Sequence, residues 1–387
     1  MSESKFPFRG QGYDFIFLGA GCASLSLLMR MIRSGRFNNK KILLIDKEPK
    51  IKNDRTWCFW EKHEGFFEQI VYKKWDKLSF LSDEFSNTMD ISPYQYKMIR
   101  GIDFYNYCFG EIKQHNNIEV LYGHARIEQK ENDSSLYIND QQIEIVNTTV
   151  FNSFVDNTLK TGREISLLQH FKGWIIETTS NTFSSDQATF MDFRVDQTRG
   201  TTFAYVLPFS ETKAMIEYTL FTENILADDE YENELKNYID SFLHIKEYKI
   251  TEKEFGIIPM TTRSFDFYKN SIYNIGTIGG QTKASSGYTF QFIQKQSDLI
   301  LRSLVDNRPL REGNSTSKRF LFYDKILLNV LQNKKVTGKE IFTTMFKKNK
   351  PQQVLKFLDN ESSLLEELKI ISTLPTLPFI KAAFNHL

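Results

Sequence analysis

The chain has 387 residues, with 49 Lys and Arg against 48 Asp and Glu for a net charge of +1, and 34 Phe and 17 Tyr lift the aromatic content to 14%. That length exceeds what one hydrophobic core usually fills, so two domains are expected, and the balanced charge excludes nucleic acid as the main partner because phosphate binding requires a basic excess. Cys22, Cys58 and Cys108 are widely spaced and odd in number, and the six histidines show no ligand spacing, so neither a disulfide framework nor a metal site is expected. Residues 1–15 lack the apolar core of a signal peptide and no apolar run is long enough to span a bilayer, which predicts a soluble or peripheral protein of a reducing compartment. The aromatic excess suits a deep apolar cavity, a membrane-facing patch or simply a bulky core.

Residues 13–46 (YDFIFLGAGCASLSLLMRMIRSGRFNNKKILLID) read as strand, glycine turn, helix and second strand. The continuous apolar run at Phe15, Ile16, Phe17 and Leu18 predicts a strand buried on both faces of a parallel sheet. Gly19 permits the tight turn, while Gly21 lets a pyrophosphate approach the helix N-terminus, where free N–H groups and the dipole favour anions. Asp46 ends the second strand, where an acid reaches ribose hydroxyls, and Ser24 stands at the third glycine position. Residues 19–21, Ser24 and Asp46 are therefore cofactor-binding candidates; an ordinary ligand-free turn is the alternative reading.

Residues 75–96 are short and alternating, which predicts strands of a second sheet. A helix is expected over 101–114, a strand and hairpin over 118–145, and a further strand at 149–155 in the parallel sheet. Between 167 and 220 four strand-like runs follow one another and predict an antiparallel layer, followed by an amphipathic helix at 228–242. Strands return at 253–260 and 272–278, and a long helix begins near 289. The second glycine cluster, IGTIGGQTKASSGYTF at 275–290, again offers backbone N–H groups at a helix start, and two such loops suit a cofactor as long as FAD. Gly279, Gly280, Lys283, Ser286, Gly287 and Tyr288 join the cofactor-binding candidates. The remainder, 319–387, reads as several helices with apolar stripes.

The fold class expected is α/β: a discontinuous Rossmann-like domain (1–75, 96–160 and 253–310), an inserted β-rich substrate domain (76–95 and 161–252) and a C-terminal helical region (311–387). In that region Phe342, Met345 and Phe346 beside Lys347, Lys348 and Lys350 make either an interfacial patch for a membrane surface or a helical cap on the core.

Several stretches occur together in one order: LGAGCASLSL, NDRTWCFW (53–60), YKMIRGIDFY (96–105), VFNS (150–153), LLQHFKGWIIET (167–178), FMDFRVDQ (190–197), FAYVLPFSETKAMIEYT (203–219), EFGIIPM (254–260) and the second glycine cluster. Over nearly its whole length the chain resembles the FAD-dependent lycopene cyclases of the beta type found in bacteria and plants. The resemblance implies a non-redox isomerase that closes the linear ends of lycopene to β-ionone rings, by way of γ-carotene to β-carotene. It implies reduced FAD as cofactor, NAD(P)H as its reductant, lycopene and related linear carotenoids as substrates, and a cytoplasmic protein peripheral to the membrane.

Such chemistry needs a positioned acid, a dry cavity for a carbocation and a base at the exit. Glu217, in AMIEYT, matches the first acid of the family's essential motif, whose second acid is here Tyr218. Its place among alternating apolar residues would raise its pKa; a solvent-facing glutamate is the plain alternative. Asp192 and Glu254 are secondary carboxylates with ion-pair roles as the alternative. The resemblance also places Arg55 and Arg100 near the cofactor, and Trp57, Phe59, Tyr205 and Pro208 along the substrate tunnel. The competing reading is a flavin-dependent oxidoreductase of the same fold, a monooxygenase or a polyprenyl reductase.

Overall fold

The computed structural model describes residues 12–129, 134–143, 145, 147–154, 166–310 and 318–384. β1 (Phe15–Leu18), α1 (Cys22–Ser34) and β2 (Ile42–Asp46) open the chain, the two strands pairing in parallel. β3 (Thr56–Glu61) and β4 (Lys73–Trp75) precede a hairpin of β5 (Lys77–Leu81) and β6 (Ser86–Asp90). β7 (Gln95–Arg100) pairs antiparallel with β3 and β4 and runs directly into α2 (Gly101–Ile112). β8 (Ile118–Tyr122) joins β2, and β9 (Ala125–Gln129), β10 (Ser134–Ile138) and β11 (Gln141–Ile143) form a small antiparallel sheet. β12 (Thr149–Asn152) returns beside β1.

Then come β13 (Ser166–Glu177), β14 (Gln187–Asp192), β15 (Thr201–Pro208) and β16 (Lys213–Thr222), the helix α3 (Asp228–Ser241) and β17 (Lys249–Thr261). β18 (Tyr268–Lys269), β19 (Ile272–Asn274) and a 3-10 turn (Gly276–Gly279) lead to α4 (Phe290–Val305). The tail holds α5 (Lys318–Gln332), α6 (Gly338–Lys348), α7 (Pro351–Leu358), α8 (Leu364–Thr373) and α9 (Thr376–Phe384).

Two large sheets organise these elements. The first has the order β18-β19-β12-β1-β2-β8 and is parallel except for its edge strand β18. One face packs Phe15, Phe17, Leu44 and Phe151 against α1, α2 and α4; the other packs Ile16, Leu18, Ile45 and Val150 against Leu136 and Ile138 of the small sheet. Burial on both faces is why these strands read as unbroken apolar runs. The second sheet has the order β17-β13-β16-β15-β14-β5-β6 and is antiparallel except where β14 meets β5. Its alternation is physical: Ile216, Tyr218 and Leu220 meet α3, while Met215 and Phe221 face the core shared with the tail helices.

The structure revises two expectations, and a third falls outside what it describes. β17 pairs with β13 from Lys249 to Thr261, so residues 253–261 lie with the second sheet and not with the dinucleotide unit. The expected boundary at 160 and 161 falls outside the described residues. Phe342, Met345 and Phe346 are 1–3% exposed and stack into the core, Phe346 on Phe80 and Phe342 on Phe193, so they are a cap and not an interfacial patch.

Candidate active site

The C-terminal ends of β1, β12 and β19 open at one edge of the parallel sheet, the edge where α/β folds take ligands. Gly21 is the N-cap of α1, with no side chain capping it, no acid in the first turn, and nothing within 4 Å of where a Cβ would sit. The helix start is therefore open to an anion. Behind it Asp46 is buried and its Oδ2 accepts from the Ala20 N–H at 2.7 Å, fixing the loop, and Lys50 lies 3.1 Å from the same oxygen. Ser24 is fully buried and donates to Ser153 Oγ at 3.1 Å; it packs the helix against β12 and takes no place at the ligand edge, contrary to expectation. The second glycine cluster abuts the first, since a Cβ on Gly276 would lie 2.8 Å from that of Ala23.

Between this edge and the second sheet lies a cavity of ≈ 460 Å³. Its floor follows from strand register. Tyr205 pairs with Glu217, Glu217 with Gly173 and Gly173 with Glu254, so these four residues form one row across β15, β16, β13 and β17. Partners in register share a face, and Tyr205, Glu217 and Glu254 all line the cavity together with Met215, Phe171 and Gln169. Its roof comes from Arg55, from Thr56, Trp57 and Cys58 of β3, and from Ser286, Gly287, Tyr288 and Phe290.

Glu217 and Glu254 differ in their hydrogen bonds. Glu217 Oε1 accepts from Thr219 Oγ1 at 2.6 Å, and burial with the nearby Glu254 charge pushes its pKa up to about 8. Glu254 is raised by burial too, but Oε1 accepts from the Thr56 N–H at 2.9 Å and Oε2 from Thr56 Oγ1 at 2.7 Å, and Arg55 also opposes the rise. Burial keeps the Cys58 thiol and the phenols of Tyr96, Tyr205 and Tyr288 protonated. The walls near Glu217 are thus aromatic and neutral.

Three buried atoms on this cavity, Ser286 Oγ, Tyr288 Oη and Gln169 Oε1, have no hydrogen-bond partner; although Tyr96 and Tyr205 stand near Tyr288, neither meets hydrogen-bond geometry with it. Buried polar groups are nearly always paired, so three orphans on one cavity point to a polar ligand. Gly287 holds the loop close, at φ 71°, with a Cβ there reaching 2.2 Å from Gln169 Oε1.

Asn53, Arg55 and Thr56 each hold a separate part of this frame. Asn53 Oδ1 accepts from the Ile102 N–H at the start of α2, the Arg55 carbonyl accepts from Gly101, Arg55 lines the cavity with its guanidinium donating to Asp54, and Thr56 fixes Glu254.

Six expected site residues lie elsewhere. Asp192 is fully buried in a bidentate pair with Arg194 and accepts from the Tyr238 phenol, so it joins sheet to α3. Arg100 is held by Asp103 and lies 3.9 Å over the Tyr72 ring, off the cavity. Lys283 points to the tail, pairing with Asp324 and Asn360 at 2.8 Å. Phe59 stacks at 4.4 Å behind Phe290, and Pro208 ends β15, its carbonyl accepting from Trp75 Nε1. Ser24 is the sixth. Gly279 and Gly280 close the turn after β19, against Asn274 and Phe265. Cys58, Tyr96, Gln169 and Thr219 were not foreseen; the parity of β16 (215, 217, 219) carried a signal for Thr219.

A family model described as lycopene cyclase protein matches residues 14–384. The chain belongs to that family. No curated protein matches it. Among solved structures, a flavoprotein/dehydrogenase from Cytophaga hutchinsonii superposes with a TM-score of 0.64 at 10% identity, over 97% of this chain and 100% of that one. A geranylgeranyl bacteriochlorophyll reductase-like protein from Thermoplasma acidophilum gives 0.56 at 11% identity, over 96% and 95%. A halogenase mutant in complex with FAD gives 0.54 at 12% identity, over 90% and 79%. At these identities the likeness shows the fold: a two-domain α/β architecture with a discontinuous sheet flanked by helices. Among the described residues of this lycopene cyclase family member no helix is long and apolar enough to cross a membrane, and no three His, Cys, Asp or Glu side chains cluster to hold a metal.

Proposed function

We propose that this protein is an FAD-dependent lycopene cyclase that forms β-ionone rings at the ends of a linear carotenoid. The observation that carries the reading is Glu217: a carboxyl held protonated near neutral pH on a cavity where Tyr205, Tyr96, Tyr288, Cys58 and Met215 offer it aromatic, aliphatic and neutral surroundings, with the charged Arg55 and Glu254 at its Thr56 side. Such a group delivers a proton to a terminal double bond, and a dry aromatic surround keeps water from the resulting cation while ring faces steady it.

The fit to FAD rests on the open α1 N-terminus, the abutting glycine clusters and the three orphan polar atoms. The backbone of residues 19–21 would hold the pyrophosphate, and Arg55, Ser286, Gly287 and Tyr288 would border the flavin. Bound in reduced form, with NAD(P)H as reductant, the cofactor would supply negative charge that stabilises a cation electrostatically.

A second reading, a flavin-dependent oxidoreductase such as a monooxygenase or polyprenyl reductase, is favoured by the solved structures cited, which are described as a dehydrogenase, a reductase-like protein and a halogenase. Pigment analysis in a lycopene-accumulating host separates the two. Cyclic carotenes support the cyclase; unchanged lycopene, with an oxygenated or reduced product from another substrate, supports the rival.

A lipid-soluble substrate calls for a membrane surface, and the protein is proposed to be cytoplasmic and peripheral. The docking face lies on α8 and α9, where Leu364, Leu365, Leu368 and Leu377 are 59–81% exposed, beside Leu321 of α5. Glu366 and Glu367 of α8 are bound by Lys356 and Arg319, while the exposed Lys318, Lys325, Lys369 and Lys381 make no ion pair among the described residues. Apolar side chains ringed by free cations suit anionic lipid headgroups. Failure to co-sediment with anionic vesicles would sink this placement.

A further inference from the structure

The row that holds Glu217 contains a second carboxylate, and both line the cavity. Glu254 stands two strands away, roughly 9.5 Å by the usual strand spacing, and the residue between them is Gly173, which has no side chain to separate them. The Met215 side chain lies over Gly173, its Cε 2.7 Å from where a Cβ would sit, and Met215 lines the same cavity as both carboxylates. The two carboxylates are bonded differently. Both oxygens of Glu254 accept hydrogen bonds from Thr56, an arrangement suited to an anion, whereas Glu217 accepts one and keeps Oε2 free to carry a proton.

We infer that Glu254 is the base that removes the proton terminating the ring closure, with the cavity that both carboxylates line holding the substrate end against Met215 and within reach of each. The inference rests on the cyclase reading. The Glu217 carboxyl gives its proton to the terminal double bond, leaving a tertiary cation and a Glu217 carboxylate. The internal double bond supplies the electron pair for the new carbon–carbon bond, which moves the positive charge into the ring. The Glu254 carboxylate takes a ring proton, and the pair left from that C–H bond becomes the ring double bond. The substrate is isomerised, no electron is gained or lost, and the protein has moved one proton from Glu217 to Glu254, which exchange with solvent resets. Glu254 has the further effect of raising the Glu217 pKa by its charge.

The test compares wild type, Glu254→Gln, Glu254→Asp and Glu217→Gln as the full chain. Turnover and ring type are read by pigment chromatography in the lycopene-accumulating host, and the carboxyl stretch by infrared titration of substrate-free protein. Glu254→Gln is expected to lower turnover about 10²-fold or more and to shift the product toward rings with a displaced double bond. Glu254→Asp is expected to restore part of the rate. In the infrared titration the protonated carboxyl band that Glu217→Gln deletes is expected to lose its proton at lower pH in Glu254→Gln. Wild-type turnover and ring type in Glu254→Gln, with Glu217→Gln inactive, would overturn the assignment and leave the cyclase reading standing. A wild type that forms no ring overturns both, and the infrared titration then still reports whether the two carboxylates interact.

Discussion

The glycine loop at residues 19–21 and the carboxylate row under the cavity are built by opposite routes. The loop is local: the strand before it, the helix after it and the acid that fixes it all fall within residues 13–46. The row is assembled from four strands whose members are Tyr205, Glu217, Gly173 and Glu254, and nothing but pairing register aligns them. A motif scan finds the first kind of site, whereas the second exists only once the sheet has formed. Substitutions in the loop should therefore act on cofactor retention and local strain, and substitutions in the row on the reaction itself.

The largest effect expected is in the row. Glu217→Gln should reduce ring formation by about 10²–10⁴-fold, measured as cyclic carotene per protein, with bound flavin retained. The pH profile sharpens the same point. Turnover of the wild type should fall as pH rises through about 8, where Glu217 loses its proton. Stability follows the same sign: with a folded pKa above the unfolded one, the native state holds the extra proton, so Tm should fall from the ordinary carboxyl range up to about pH 8 and less in Glu217→Gln. Equal pH slopes in both proteins would break this account.

At the loop side, Lys283→Met leaves Asp324 buried without its cation and should cost about 3–5 kcal/mol in denaturant titration. Gly287→Ala forces a Cβ into Gln169 at positive φ, and about 1–3 kcal/mol of strain is expected in the same assay. Gly21→Ala should leave Tm unchanged, since its backbone is extended and the space is open, yet lower flavin content in the purified protein. Leu365→Glu on the surface is likewise expected to change stability by no more than about 0.5 kcal/mol, with loss of anionic-vesicle binding as the readout.

Much of the fold was legible because its strands obey simple burial. β1 and β2 are covered on both faces and read as apolar runs, while β16 is covered by α3 on one face and opens to the cavity on the other, so it alternates. Glu217 was legible for that reason. Its relation to Glu254 was not, because the link passes through β13 and requires the register of two long pairings. Lys283 misled for a similar reason: its partners Asp324 and Asn360 come from the tail, and no glycine-loop pattern encodes them. The stripe of Phe342, Met345 and Phe346 has helical spacing whether it meets lipid or core, and spacing cannot say which. Asp192 and Arg194 stand two apart, and only the sheet's packing on α3 decides that they pair inward.

The ion pair of Lys283 carries one more consequence, for the order of events at the ribosome. The loop that would border the flavin is anchored to Asp324 and Asn360, so it is not held until residue 360 has left the exit tunnel. The Ile45 carbonyl and the Asp46 carboxylate that hold the turn at residues 19–21 are translated hundreds of residues earlier. The contacts on the two sides of the proposed cofactor site are therefore translated at different times, those of the flavin side last.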